Sequence, residues 1–224
     1  MNERDQQKRN AAERAAERVD DGDVVGLGSG STAAHAVRAL GRRVDSGLDV
    51  RGVPTSFQAR ELAREAGVPL TTLDEDTPDV AIDGADQVAQ GNAIKGGGGA
   101  HAREKIVDSA ADELLLVVDP TKEAETLDDP VPVEVLPDAR TTAAAAIEAL
   151  GGDPTLRAAE RKSGPVVTDN GNLILDTDFG AIEDPSSLAA SLAGIPGIVA
   201  HGLFVDLADA VYVGRTDGVD VRSV

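Results

Sequence analysis

Between Val24 and Val118 short apolar runs alternate with segments of helical spacing, and this alternation is what most narrows the folds open to the chain. Asp23 to Leu27 reads as a strand running into glycines, Thr32 to about Leu40 as a helix, 49 to 53 as a strand and 56 to 66 as a helix. Val68 to Leu73 and Asp79 to Ile82 read as further strands. A helix near 101 to 111 leads into one more, Leu114 to Val118, and an Ala-rich helix over 4 to 19 precedes the series. Apolar strands separated by helices are buried on both faces, which implies a mostly parallel, Rossmann-like α/β sheet with helices on both sides.

Beyond Pro130 the texture changes. VPVEVL is followed by an Ala-rich helix at 141 to 149, a strand-like pair at 155 to 160 and 165 to 176, a helix at 186 to 193 and a strand at 198 to 205. The order strand, helix, strand, strand, helix, strand is the split unit of a smaller ferredoxin-like α+β domain. The expected division is therefore a catalytic α/β domain of residues 1–128 with 206–224, and a small α+β domain of 129–205. The closing AVYVGRTDG is expected to rejoin the first sheet.

The 224 residues carry 40 acidic against 21 basic side chains, a formal net charge of -19. Such a surface repels phosphate backbones, so a nucleic-acid partner is excluded, and a small anionic substrate needs a local basic pocket. The lysines, Lys8, Lys95, Lys105, Lys122 and Lys162, are few enough to follow one by one. An acidic excess of this size marks adaptation to a high-salt cytosol, where counterions screen self-repulsion. The absence of Cys rules out disulfides and thiolate chemistry. No apolar run reaches the roughly 18 residues of a membrane span. A cytoplasmic protein is expected.

Three segments could carry chemistry. Gly26-Leu-Gly28-Ser29-Gly30-Ser31-Thr32 lies between a strand and a helix, where glycines admit a ligand to the backbone and the helix N-terminus favours an anion. It lacks both Rossmann and P-loop spacing, and a tight turn with Ser31 or Thr32 as N-cap is the plainer alternative. Asp83-Gly84-Ala85-Asp86 follows an apolar strand at the end where open α/β sheets bind ligands, so its two carboxylates could converge on a polar ligand or simply close an Asx-turn. In Lys95-Gly96-Gly97-Gly98-Gly99-Ala100-His101-Ala102-Arg103-Glu104-Lys105, four successive glycines suit a close backbone approach to a ligand better than any packing role. Glu104 falls in the first turns of the next helix, where the dipole and Lys95 favour a carboxylate able to act as a base. Alone it would read as a solvated helix residue. His35, His101 and His201 are too dispersed in sequence to suggest metal ligands.

GSGSTA, DGAD, KGGGGAHAREK and Asp119-Pro-Thr-Lys122, in this order and spacing, resemble the type A ribose-5-phosphate isomerase family. The likeness extends through Pro54-Thr-Ser-Phe-Gln58, Val131-Pro-Val-Glu-Val135, Val167-Thr-Asp-Asn-Gly-Asn172 and Gly202-Leu-Phe204, and so covers nearly the whole chain. The resemblance implies an aldose-ketose isomerase acting between ribose 5-phosphate and ribulose 5-phosphate, without cofactor or metal, as a homodimer or homotetramer joined through the small domain. It implies that Ser29, Gly30, Ser31 and Thr32 hold the phosphate, with Lys8 assisting. It implies further that Asp83, Gly84, Ala85 and Asp86 contact the sugar and its two aspartates help ring opening, that Lys95, Gly96, Gly97 and Gly98 line the sugar, that Lys122 binds the substrate's polar end, and that Glu104 is the proton-transferring base. Ser29 stands where many relatives carry Thr, and Gly99 where Ala is frequent. A sugar-phosphate sensing module would be expected to have lost the base, and the signatures of an amino-sugar phosphate deaminase are not seen.

Overall fold

The structure, a computed structural model, describes residues 2–224. In chain order its helices are α1 (Glu3–Ala16), α2 (Gly30–Asp45), α3 (Phe57–Glu65), α4 (His101–Ala110), α5 (Arg140–Ala149) and α6 (Pro185–Ala193). Its strands are β1 (Val24–Leu27), β2 (Arg51–Pro54), β3 (Val80–Gly84), β4 (Gln87–Ala89), β5 (Asn92–Ile94), β6 (Glu113–Val118), β7 (Val131–Val135), β8 (Asp153–Leu156), β9 (Leu173–Asp178), β10 (Ile198–His201), β11 (Leu203–Phe204), β12 (Ala210–Arg215) and β13 (Gly218–Ser223). They form two compact units, the first comprising the chain up to Ala85, Arg103–Glu123 and Asp206–Val224, the second Asp86–Ala102 and Ala124–Val205.

The first unit holds a sheet in the order β13-β12-β6-β3-β1-β2. All neighbours run parallel except β13, which returns antiparallel along β12. Val25, Leu27, Ile82, Leu115 and Val117 are buried in its core with Leu40 of α2. Four alanines of α1, Ala11, Ala12, Ala15 and Ala16, are buried against this sheet, and their small side chains allow a close fit. At Gly214 of β12 a Cβ would lie 1.8 Å from the Gln7 carbonyl oxygen of α1, so only glycine is tolerated there. The strand expected over Val68 to Leu73 is reduced to a single bridge between Gly52 and Leu70. Beyond it the chain turns, with the Thr71 hydroxyl donating to Asp76 and the Asp76 N–H to the Thr72 carbonyl, so no ladder continues.

The second unit contains the sheet β10-β7-β9-β8, in which every neighbouring pair is antiparallel. With α5 after β7 and α6 after β9, this is the split arrangement of a ferredoxin-like domain, with Val131, Val133, Val135, Ile147, Leu175 and Leu192 in its core. A further small sheet joins β4, β5 and β11. Residues 86–102 fall with this unit rather than with the α/β part, because β5 pairs with β11 and the Lys95 N–H donates to the Gly202 carbonyl at 2.8 Å. The strand expected from 165 begins only at Leu173. Before it, Thr168 to Asn172 wraps a fully buried carboxylate, Glu134, whose Oε1 accepts from the Thr168 hydroxyl at 2.9 Å and from the Asn170 and Asn172 amides at 3.0 and 2.8 Å. The expected strand 198 to 205 is interrupted at Gly202, where a Cβ would lie 2.2 Å from the Lys95 carbonyl oxygen. Among the described residues no helix is long and apolar enough to cross a membrane.

Candidate active site

In the first unit β1 delivers the chain through Gly28 and Ser29 to the N-terminus of α2. The N-cap is Ser29, not the Ser31 or Thr32 that the sequence suggested, and its side chain makes no capping bond. Its hydroxyl instead lies 2.8 Å from the Thr55 hydroxyl and donates to the Ser56 hydroxyl at 2.6 Å. The Gly30 N–H donates to the Gln58 side chain at 3.1 Å. Lys8 of α1 donates to the Ser31 hydroxyl at 2.9 Å, so an ammonium stands at this helix start, beside Ser29, Gly30, Ser31 and Thr32. The first N–H groups of a 16-residue helix, a cluster of hydroxyls and a lysine form an anion-binding surface in an otherwise acidic chain.

Asp83 closes β3 beside this turn and is fully buried. Its Oδ1 accepts from the Ser29 N–H at 3.0 Å and from the Gly84 N–H at 2.7 Å. Gly28 is required by that contact, since a Cβ would come within 2.1 Å of Asp83 Oδ1. Asp83 therefore fixes the geometry of the turn into α2, and Gly84 and Ala85 follow it half-buried at the strand end.

Glu104 is in the first turn of α4 and only 5% exposed, so it is not the solvated residue that its helix position alone would suggest. Lys122 ends a short 3-10 turn, Pro120–Lys122, after β6. That turn is pinned by the fully buried Asp119, which accepts from the Thr121 N–H at 3.0 Å, the Thr121 hydroxyl at 2.6 Å and Arg4 of α1 at 3.0 Å. Burial pushes the Asp119 carboxyl up, but Thr121 and Arg4 together outweigh it and hold the group below the ordinary aspartate value.

In the second unit Lys95 is only 2% exposed, and its ammonium lies 5.2 Å from the centroid of the Phe204 ring, a favourable cation-π distance. The glycines after it form a turn closed by the Gly99 N–H to the Gly96 carbonyl at 2.9 Å. A packing role, which a run of four glycines does not by itself suggest, explains part of it. At Gly96 a Cβ would lie 2.6 Å from the buried His101 ring, and at Gly97 it would lie 2.7 Å from the Asp86 carboxylate. Asp86 accepts the Gly97 N–H at 2.7 Å. On the carbonyl side Arg157, outside every sequence motif noted above, donates from Nη1 to the Gly96 and Gly97 oxygens at 3.0 and 3.1 Å. Asp176 of β9 holds that guanidinium through Nε at 2.8 Å and through Nη2. Gly98 alone has no steric reason to be glycine, since a Cβ there would meet nothing within 4 Å.

Within the first unit, Asp83, Ser29, Gly30, Ser31 and Lys8 are gathered at one strand end and helix start, while Glu104 and Lys122 lie on α4 and on the turn after β6. Within the second, Asp86, Lys95, Gly96, Gly97 and Gly98 share one loop. Thr55, Ser56 and Gln58 were missed as partners of the anion site, although they follow β2, the strand hydrogen-bonded beside β1. Arg157 and Asp176 gave no local signal.

A helix start presenting its first N–H groups and a lysine, together with buried carboxylates on a strand end and in a first helical turn of an α/β fold, is an arrangement that suits an enzyme of small anionic substrates. The chain belongs to the ribose 5-phosphate isomerase A (phosphoriboisomerase A) family, whose model matches residues 51–218. It is 66% identical to ribose-5-phosphate isomerase A of Haloarcula marismortui over 98% of this chain and 96% of that protein. It is likewise 66% identical to ribose-5-phosphate isomerase A of Natronomonas pharaonis over 96% of each. Ribose 5-phosphate isomerase A from Methanocaldococcus jannaschii, 44% identical, superposes with a TM-score of 0.94 over 97% of this chain and 98% of that one. A D-ribose-5-phosphate isomerase in complex with phospho-erythronic acid, 40% identical, superposes with a TM-score of 0.96 over the whole of both chains. The protein is accordingly an aldose-ketose isomerase interconverting D-ribose 5-phosphate and D-ribulose 5-phosphate, and its haloarchaeal relatives accord with the salt-adapted composition.

Proposed function

We propose that the isomerisation uses the residues described above in the following roles. The substrate phosphate sits at the α2 N-terminus on Ser29, Gly30, Ser31 and Thr32, with Lys8 beside it, and Lys122 engages a polar end of the sugar. Lys95 and the Gly96 to Gly98 backbone line the sugar, while Asp83, Gly84, Ala85 and Asp86 meet its hydroxyls and the two aspartates assist ring opening. Glu104 removes the proton from carbon 2 of the open aldose. The C–H electrons form the C1=C2 bond, and the carbonyl electrons move to O1. Passage of the O2 proton to O1 moves the negative charge to O2, and return of the carbon-bound proton from Glu104 to carbon 1 leaves a hydroxyl at carbon 1 and the carbonyl at carbon 2. The enediolate between these steps is negative, and Lys95 with backbone N–H groups of the glycine loop offsets that charge.

The observation that carries this reading is the burial of Glu104 in a first helical turn, where the helix dipole favours its carboxylate and water is excluded from a base. Phospho-erythronic acid, a phosphorylated four-carbon acid bound by a relative, has the phosphate and planar oxygen pair that these roles require. The test is Glu104→Gln with ribose 5-phosphate. Loss of turnover with the fold intact supports the base, and turnover near that of the parent removes it. The enzyme is further proposed to act in the cytoplasm as a homodimer or homotetramer joined through the second unit, to be checked by light scattering at high KCl.

A further inference from the structure

We infer that Arg157 is a positioning residue for the isomerisation, its guanidinium setting two peptide planes of the glycine loop so that the Gly98 N–H faces the enediolate. The inference rests on the proposal that this loop lines the sugar. Arg157 directly follows β8, and the β8–β9 register pairs Thr155 with Asp176 and Leu156 with Leu175. Asp176 thus emerges beside Arg157 and takes two of its nitrogens, Nε and Nη2, in a forked ion pair. Only 16% of the Arg157 side chain is exposed. The remaining nitrogen, Nη1, is left to one task, donating to the carbonyls of Gly96 and Gly97 at 3.0 and 3.1 Å.

In a trans peptide the carbonyl and the N–H point to opposite sides, and the described chain has no cis bond. Drawing the Gly96 oxygen toward Arg157 therefore turns the Gly97 N–H away, where it meets the Asp86 carboxylate at 2.7 Å. The Gly97 oxygen is drawn the same way, so the Gly98 N–H is turned away too. Gly98 is exposed, has no left-handed φ and faces open space where a Cβ would be. Its glycine is therefore explained by neither packing nor backbone strain, and a ligand lying against the main chain accounts for it. A guanidinium on the Gly97 carbonyl also polarises that peptide, which strengthens the Gly98 N–H as a donor toward oxygen that becomes negative.

The test uses Arg157→Ala and Arg157→Lys, with Glu104→Gln as the reference for the site as a whole. If Arg157 aims a donor at the developing charge, kcat falls by about 10- to 100-fold in Arg157→Ala, on the scale of a lost oxyanion donor. The KM for ribose 5-phosphate stays within about threefold, because the phosphate is held elsewhere. The affinity for phospho-erythronic acid, whose carboxylate resembles the two enediolate oxygens, weakens by about tenfold or more. Arg157→Lys remains impaired, since an ammonium cannot fork onto Asp176 and still reach both carbonyls. Circular dichroism and thermal midpoints at high KCl identify folded protein, and Arg157→Lys carries the test if the alanine variant does not fold. Folded variants with the parent kcat, or with a raised KM alone, overturn the inference. If Glu104→Gln abolishes turnover while the Arg157 variants keep it, the site assignment stands and only the role of Arg157 fails. If Glu104→Gln also retains turnover, the site assignment itself is wrong.

Discussion

Lys105, the residue after Glu104, is held in the fold against its own charge. Burial lowers its pKa from 10.5 to about 8. The gap between those values corresponds to about 3 kcal/mol of preference for the neutral amine in the folded state. Below pH 8 folded and unfolded chains both carry the proton, so the penalty is present in full at neutral pH. From pH 8 to 10.5 the folded chain has released the proton while the unfolded chain keeps it, and stability rises with pH over that window. Lys105→Met keeps the length of the side chain and removes the charge. At pH 7 the variant should be more stable than the parent by about 1 to 3 kcal/mol, equivalent to about 2 to 10 °C in the midpoint for a chain of this size. The advantage should shrink as pH rises and disappear by about pH 10.5, because the parent's amine is by then neutral in both states. Urea titrations of both proteins at pH 7, 8, 9 and 10, in one fixed high KCl concentration, measure this difference. A constant gap at every pH, or a variant less stable than the parent at pH 7, refutes the reasoning.

Glu104→Gln should lower turnover by about 10²- to 10⁴-fold, the usual contribution of a general base, and suppress deuterium exchange at carbon 2 of ribose 5-phosphate to a similar extent. Because Gln matches Glu in shape, circular dichroism should be unchanged in that variant. Lys122→Ala should raise the KM more than it lowers kcat, since a point charge is lost from a protein of net charge -19; steady-state kinetics with an unchanged KM would remove Lys122 from the substrate site. Raising KCl toward molar concentrations should raise the thermal midpoint by screening neighbouring carboxylates, and a flat or falling series of melts would end the salt-adaptation reading.

The central sheet was legible because β1, β3 and β6 are buried on both faces and so form short, nearly continuous apolar runs. The β4–β5 hairpin was not legible, because three-residue strands offer too few positions for a period to show. β13 was hidden for another reason. It is an edge strand whose residues are mostly exposed, so Asp220 and Arg222 dilute any apolar pattern. The strand expected from 165 failed because Thr168 and Asn172 serve the carboxylate of Glu134 rather than a ladder, and only the tertiary fold shows that partner. The candidate site was readable where it is continuous in sequence, as in the run from Lys95 to Glu104. Arg157 reaches that run across about 60 residues through the β8–β9 register, a relation that no local pattern encodes.

The buried carboxylate of Glu134 bears on what a salt-adapted protein asks of its medium. Its three donors are uncharged side chains, and it has no access to solvent, so potassium ions do not reach it. Asp119 is likewise enclosed, with Arg4 as an internal counterion. Asp83, Glu104 and Asp108 are also buried, so 5 of the 40 acidic residues lie inside the protein. The formal charge thus overstates the field that dissolved ions must quench, and the composition mixes two populations of acid. One lies beyond the reach of the brine, and the other tolerates folding only within it. Dilution should therefore loosen the solvent-facing helices first, while the bonds of Thr168 and Asn172 to the buried Glu134 persist.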